Sequence, residues 1–241
     1  MFNKSLWIIE DKSIQGIVME YSKNIRNYRK GNLIYQQEDK RDFLYFLTEG
    51  RVRVSISNSN GSEKTLAINE PASFFGETAF FDEFPSFSRA EALIDSTVII
   101  LNREQITNMI KDYPELAFHI FNSMSRKIRL LSFQIEYLSF MKIEERLVYL
   151  LTTLFFTFGV KCSNDSVSKE RPCKYKDACP EGHFLNLTIT DQEIGDMISA
   201  RREAITKALN NLKNQNLICK NKRTICCPNL SLLENILSDM D

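Results

Sequence analysis

Residues 189 to 218 read ITDQEIGDMISARREAITKALNNLKNQNLI, and the division of apolar and charged positions within this stretch decides the architecture. Thr190 followed three residues later by Glu193 is a capping-box signature, which starts a helix at about Asp191 and turns Ile194, Met197 and Ile198 inward. Gly195 permits the close approach of another helix. A second helix is expected from about Arg201 to Asn214. At about 100° per residue, Ile205, Ala208, Leu209 and Leu212 fall on one side, and Arg202, Glu203, Thr206 and Lys207 share an arc on the other. Two short helices joined by a tight turn, the second presenting long polar side chains, make a helix-turn-helix whose second helix enters a DNA major groove. Arginine bonds bidentately to guanine, glutamate accepts from cytosine, and lysine reaches guanine or a phosphate.

Working outward from that helix, Leu217-Ile218 and Thr224-Ile225 flank the basic run Lys220-Asn221-Lys222-Arg223, as in a β-wing that grips backbone phosphates. A solvated charged helix face would account for residues 201–214 taken alone. The wing argues for DNA instead. Between residues 199 and 223 there are seven Lys or Arg (201, 202, 207, 213, 220, 222, 223) and one acid, Glu203, in a chain whose 31 basic and 31 acidic residues otherwise cancel. A polyanion-binding signal is therefore confined to one place, with Arg201, Arg202, Glu203, Thr206, Lys207, Lys222 and Arg223 as its candidate residues.

Upstream the periodicity changes. Val52, Val54 and Ile56 alternate with Arg51, Arg53, Ser55 and Ser57, the period of a half-buried strand, and Asn58-Ser59-Asn60-Gly61 turns the chain into a second strand from Thr65. Leu44 to Leu47 and Val98 to Leu101 add further strands, so residues 25 to 101 form a compact sandwich or barrel. Asn102 with Gln105 repeats the capping-box pattern, and Pro114 opens a longer helix. Along it Phe121, Met124, Ile128, Leu131, Ile135 and Leu138 recur at alternating steps of three and four. A helix packing on its own barrel would show apolar residues too, but the 3-4 alternation on one narrow stripe favours a partner helix and a homodimer. A further helix follows from Ile143 to about Phe158, then a polar insertion at 161–183, then a strand carrying Leu185, Leu187 and Ile189.

Taken in that order, the pieces resemble the family of the cyclic-AMP receptor protein and the fumarate-nitrate reductase regulator (CRP/FNR): "GNLIYQQED", "LYFLTEGRVRVSI" and "FFGETAFF", the long helix, then "ITDQEIGDMISARREAITKAL" and "LKNQNLI". The resemblance implies an α+β chain with a cyclic-nucleotide-binding-like β-barrel (double-stranded β-helix) at 1–112, a dimerisation helix and hinge at 113–142, and a winged helix-turn-helix domain at 143–241 that contains the insertion. It implies double-stranded DNA, a small-molecule effector, a second copy of the chain and RNA polymerase as partners. Arg202, Glu203 and Lys207 match the family's base-contacting positions, with lysine where arginine is usual. Gly76 and Glu77 match the ribose-binding pair, with Thr78 beside them, and Leu131 and Ser132 match the part of the central helix that closes the cavity. The family's phosphate-binding Arg-Ser pair appears as Phe87-Ser88. Arg89 lies one position on, which in a strand sends it to the opposite face. Loss of that charge-assisted contact argues against cyclic AMP, and the Phe-rich surroundings (Phe74, Phe75, Phe80, Phe81, Phe84, Phe87), at least half of them expected in the core, favour an apolar or aromatic effector.

Cys162, Cys173, Cys179 and His183 share the polar insertion, spaced x10, x5 and x3. A zinc site, an iron-sulfur cluster, a reversible disulfide and inert thiols all stay open, since none of these gaps is a CxxC pair. Residues 1 to 118 hold no histidine, against a metal-dependent barrel enzyme, and there is no HExxH, Walker or GxGxxG motif. The N-terminus carries no signal-peptide core and no stretch reaches the length of a membrane span, so a cytoplasmic location without membrane attachment is expected.

Overall fold

A computed structural model describes residues 8–9, 14–40, 42–162, 182–221 and 224–238. In chain order the elements are β1 (Ile8–Ile9), α1 (Gln15–Tyr21), β2 (Ile25–Tyr28), β3 (Leu33–Tyr35), β4 (Leu44–Glu49), β5 (Val52–Ser57), β6 (Glu63–Asn69), β7 (Ser73–Phe75), α2 (Glu77–Asp82), β8 (Arg89–Ala92), β9 (Ser96–Leu101), α3 (Arg103–Asp112), α4 (Glu115–Phe140), α5 (Ile143–Phe158), β10 (Gly159–Lys161), β11 (His183–Leu185), α6 (Asp191–Ile198), α7 (Arg202–Asn214), β12 (Cys219–Asn221), β13 (Thr224–Cys227) and α8 (Leu230–Ser238). The chain divides into two compact units between Gln134 and Ile135. No helix among the described residues is long and apolar enough to cross a membrane.

The first unit faces two sheets, ordered β1-β6-β5-β8-β3 and β2-β9-β4-β7. Its organising element is β4, in which four successive residues are buried. Alternation sends Leu44 and Phe46 to one side, where they meet Phe74, Phe80, Ile99 and Leu101 together with Ile106 and Met109 of α3 and Leu116 and Ile120 of α4. It sends Tyr45 and Leu47 to the other, against Tyr35, Val52, Phe75, Ala90, Val98 and Ile100. The four-stranded sheet is thus covered by helices on one face and by the second sheet on the other. That double burial explains why β4, β7 and β9 read as continuous apolar runs while solvent-facing β5 alternates.

The helix starts are those the capping patterns predict: Asn102 accepts from the Gln105 backbone at 2.8 Å and Thr190 from that of Glu193 at 3.2 Å. One expected strand differs. The strand ends at Leu185: Asn186 still bonds to the Phe158 carbonyl in the same register, but by Thr190 the backbone N–H is taken by the Glu193 carboxylate at the start of α6. Helices α1 and α8 are additions to the elements expected from the sequence.

The unit boundary falls inside α4 instead of setting that helix apart as residues 113–142. Up to Gln134, whose side chain donates to the Leu66 carbonyl at 2.8 Å, the helix serves the sandwich. Beyond it, Tyr137 donates its hydroxyl to the Met197 carbonyl at 3.0 Å, and burial keeps that phenol protonated by pushing its pKa up. Arg146 of α5 donates to the carbonyls of Leu138, Met141 and Ile198 at 3.3, 2.9 and 3.3 Å. One guanidinium therefore binds the C-terminal ends of both α4 and α6, where carbonyls lack helical partners. The last turn of the long helix is in this way bolted to the first helix of the helix-turn-helix. Met141 and Lys142 alone separate α4 from α5.

Candidate nucleic-acid interface and ligand cavity

In the second unit, α6 and α7 are joined by Ser199, Ala200 and Arg201. Ser199 adopts a left-handed conformation, φ 56°. Gly195 makes this turn possible: a Cβ there would lie 2.4 Å from the Ala200 carbonyl oxygen of the turn and 3.6 Å from the Ile205 side chain of α7, so both the turn and the neighbouring helix approach it closely. On α7 the buried set is Ile205, Ala208, Leu209 and Leu212, while Arg201, Arg202, Glu203, Thr206 and Lys207 are exposed. The hairpin β12–β13 pairs Cys219 with Cys226, Lys220 with Ile225 and Asn221 with Thr224. Its tip, Lys222 and Arg223, lies outside the described residues, as do Cys173 and Cys179.

Sequence reasoning missed what joins these parts. Asp191, at the start of α6, accepts from the Thr206 hydroxyl of α7 at 2.7 Å through one carboxylate oxygen and pairs with Lys220 of β12 through the other. Burial by itself would raise the Asp191 carboxyl, but hydrogen bonds from Lys220 and Thr206 outweigh it and hold it below its ordinary value. The link is charged at neutral pH, and its stabilisation is lost only as pH falls through that lowered value. Thr206 and Lys220 are consequently struts holding α7 against the wing, whereas Arg202, Glu203 and Lys207 project from the same helix into solvent. The only signal for this in the sequence was an acid at the first position of α6.

The long helix α4 divides the six seam positions. Phe121, Ile128 and Ile135, at heptad spacing, are 62, 63 and 67% exposed. Met124 packs on the sandwich core and Leu131 lines a cavity, while Leu138 is half-buried. Ser125 and Ser132 lie between the exposed apolar residues and are themselves exposed. The outward stripe is therefore Phe121, Ser125, Ile128, Ser132, Ile135. The helix has two apolar jobs, one on each side, and the six positions straddle their border.

A cavity of about 230 Å³ opens between the five-stranded sheet and α4, and its walls include Tyr35, Val54, Leu66, Asn69, Phe75, Gly76, Glu77, Thr78, Phe87, Ser88, Lys127 and Leu131. Gly76 sits at φ 80°, and a Cβ there would lie 2.7 Å from the Tyr45 ring. Glu77 is paired with Lys127 of α4 at 2.9 Å, and Lys127 also donates to the Phe74 carbonyl at 2.7 Å. Gly76, Glu77, Thr78, Phe87, Ser88 and Leu131 thus share one cavity. Two candidates do not line it. Arg89 is turned outward, where Glu63 and Glu91 take its guanidinium at 2.7 and 2.9 Å, and Ser132 belongs to the exposed stripe. Of the six phenylalanines, Phe74, Phe75 and Phe80 are core, Phe81, Phe84 and Phe87 are exposed, and Phe75 and Phe87 reach the cavity.

Residues 25–113 match the cyclic nucleotide-binding domain and residues 145–236 the Crp-like helix-turn-helix domain. The chain belongs to the CRP/FNR family of transcription regulators. A CRP-like cAMP-activated global transcriptional regulator of Mycobacterium tuberculosis is 25% identical over 185 residues, 76% of this chain and 74% of the relative. The cAMP-activated global transcriptional regulator CRP of Salmonella typhimurium is 25% identical over 203 residues, 84% of this chain and 88% of the relative. Among solved structures, a CooA mutant from Carboxydothermus hydrogenoformans shares the fold at a TM-score of 0.73 with 21% identity, covering 94% of this chain and 92% of that one. The relatives and structural neighbours of this CRP/FNR regulator are transcription regulators and not enzymes.

Among its described residues no three His, Cys, Asp or Glu side chains gather as for a metal ion. Cys162 and His183 stand at the two ends of the insertion, where the Cys162 N–H donates to the Gly182 carbonyl at 2.7 Å and Lys161 faces His183 across the β10–β11 ladder.

Proposed function

We propose that this protein is a homodimeric regulator that reads an inverted-repeat DNA site with α7, gated by a small-molecule effector other than cyclic AMP bound in the α4 cavity. The observation that carries the reading is the division of α7 into a buried apolar face and an exposed face bearing Arg202, Glu203 and Lys207. Phosphate-seeking Lys222 and Arg223, between β12 and β13 in sequence, would add sequence-independent affinity. Gating has a direct route: Met124, Lys127, Ile128 and Leu131 line the cavity, and Ile128 also belongs to the outward stripe of α4. A ligand that moves α4 acts on the dimer seam and, through the bolted last turn, on the helix-turn-helix. The relatives named above are cAMP-activated, but in this chain Phe87 stands where a phosphate-binding arginine would be needed, and Arg89 is committed to Glu63 and Glu91. In the cell, RNA polymerase is the expected further partner.

Selection of bound duplexes from a random pool tests the DNA reading. The expected product is an inverted repeat with half-sites about one helical turn apart. Enrichment of a single half-site would defeat the dimer, and no enrichment would defeat sequence-specific binding.

A metal-responsive regulator of the same fold has one observation in its favour. Cys162 directly follows β10 and His183 opens the paired β11, and the His183 Nδ1 atom is buried without a hydrogen-bond partner among the described residues. With Cys173 and Cys179 these could hold zinc or an iron-sulfur cluster. Elemental analysis decides: one zinc, or a stoichiometric cluster, per chain that is lost in Cys162→Ser supports this reading, and equal metal content in both proteins sinks it.

A further inference from the structure

We infer that the α4 cavity selects a small neutral ligand bearing a paired hydrogen-bond donor and acceptor, a carboxamide-like edge, and that Asn69 is the residue that reads it. The inference rests on the reading of this cavity as the effector site.

Asn69 ends β6, where its backbone is flanked on both sides, by Ile9 of β1 and Val52 of β5. Its side chain is fully buried, at 0% exposure. Yet it lines the cavity, and among the described residues neither its amide nitrogen nor its amide oxygen has a hydrogen-bond partner. A buried amide left unbonded at both ends is costly, and the cost is relieved by a partner that supplies one acceptor and one donor. Charge points the same way. Among the described residues the only charged ones lining the cavity are Glu77 and Lys127, each with a largely buried side chain, and they neutralise each other at 2.9 Å. An anion entering would leave water without gaining an uncommitted cation. Apolar walls from Val54, Leu66, Phe75 and Leu131 suit a flat hydrophobic body. The volume, about 230 Å³, lies below the range usual for drug-sized ligands, so the body is one ring or little more.

The probes are benzamide, benzoate and cyclic AMP, titrated into the full-length protein by calorimetry. Benzamide is expected to bind. Benzoate, which has the same ring with a charge in place of the amide, is expected to bind at least about tenfold more weakly, and cyclic AMP not measurably. Asn69→Leu, close in volume, should lower benzamide affinity by at least about tenfold and raise the Tm of the ligand-free protein, because it removes an unbonded polar group. Equal binding of benzamide and benzoate, tight binding of cyclic AMP, no binding of benzamide, or unchanged benzamide affinity in Asn69→Leu each overturns the inference. So does a lowered Tm in that variant, which would mean the amide is already satisfied inside. Leu131→Trp fills the cavity and separates the two levels. Benzamide binding that survives Leu131→Trp overturns the cavity as the site. Binding lost there but kept in Asn69→Leu overturns only the role of the amide.

Discussion

Arg202→Ala is expected to lower affinity for the selected DNA site by about 30-fold to 10⁴-fold while leaving non-specific binding nearly unchanged. The estimate follows from one bidentate arginine–guanine contact of about 1–3 kcal/mol, present twice in a two-fold symmetric complex. Arg202 is the first residue of α7, the end of a recognition helix that reaches base edges, and it is exposed with its neighbours Arg201 and Glu203. Packing of α7 depends on Ile205, Ala208, Leu209 and Leu212 and on the Asn211–Glu144 hydrogen bond at 2.8 Å, so the variant should fold normally. Glu203→Ala should chiefly relax discrimination at the base pair it faces. Lys207→Ala separates two roles: an unchanged base preference with a shallower salt dependence would identify a phosphate contact. Mobility shifts across a salt series, against specific and scrambled duplexes, measure all three. Specific affinity unchanged in Arg202→Ala and Glu203→Ala would end the proposal that α7 reads bases.

The second large effect is expected from Ile128→Glu. In one chain this residue is 63% exposed, so the substitution should leave the monomer's fold intact, within about 0.5 kcal/mol. In a dimer joined along Phe121, Ser125, Ile128, Ser132 and Ile135, each copy would forfeit about 1.5–3 kcal/mol of apolar burial. Each would also bring a carboxylate into the seam, opposite its symmetry mate, at a cost of several kcal/mol per ion. The expected result is dissociation at micromolar concentration, read by sedimentation velocity, with a dimer dissociation constant raised by at least about 10³-fold. Phe84→Glu is the control, since Phe84 is a likewise exposed apolar residue that is not on α4, and it should leave assembly untouched. A dimeric Ile128→Glu would place the interface elsewhere. The serines between the large residues would let two helices approach closely in such a dimer, giving a narrower seam than an all-aliphatic one. Because Ile128 also lines the cavity, its substitution should weaken effector response and assembly together.

The long helix shows where sequence reading stops. Its 3-4 repeat announces a helix with an apolar stripe, and the repeat is a local property of spacing. Which of Phe121, Met124, Ile128, Leu131, Ile135 and Leu138 face the sandwich depends on the rotation of the helix against β-strands far away in sequence. Only the packed structure sets that angle. The same holds for Arg89. Alternation said that it points away from Ser88, but Glu63 and Glu91, the partners that hold it there, come from register between strands. Asn69 and Arg146 carried no pattern at all. A polar residue ending an apolar strand and an arginine among acids at the start of a helix acquire meaning only from what surrounds them.

What the sequence by itself determined about this protein was therefore local and periodic. Capping boxes at Asn102 and Thr190, two-fold alternation along residues 52–57 and 3.6-fold alternation along α7 depend on neighbours within a few residues, so they specify elements, their faces and the helix-turn-helix directly. Tertiary structure alone decided the Asp191–Thr206–Lys220 link, the Arg146 bolt, the paired Glu77 and Lys127, and the unbonded amide of Asn69. Each is a matter of which distant groups meet in a low-dielectric interior, where the value of a polar side chain is set by its partners and not by its place in the chain.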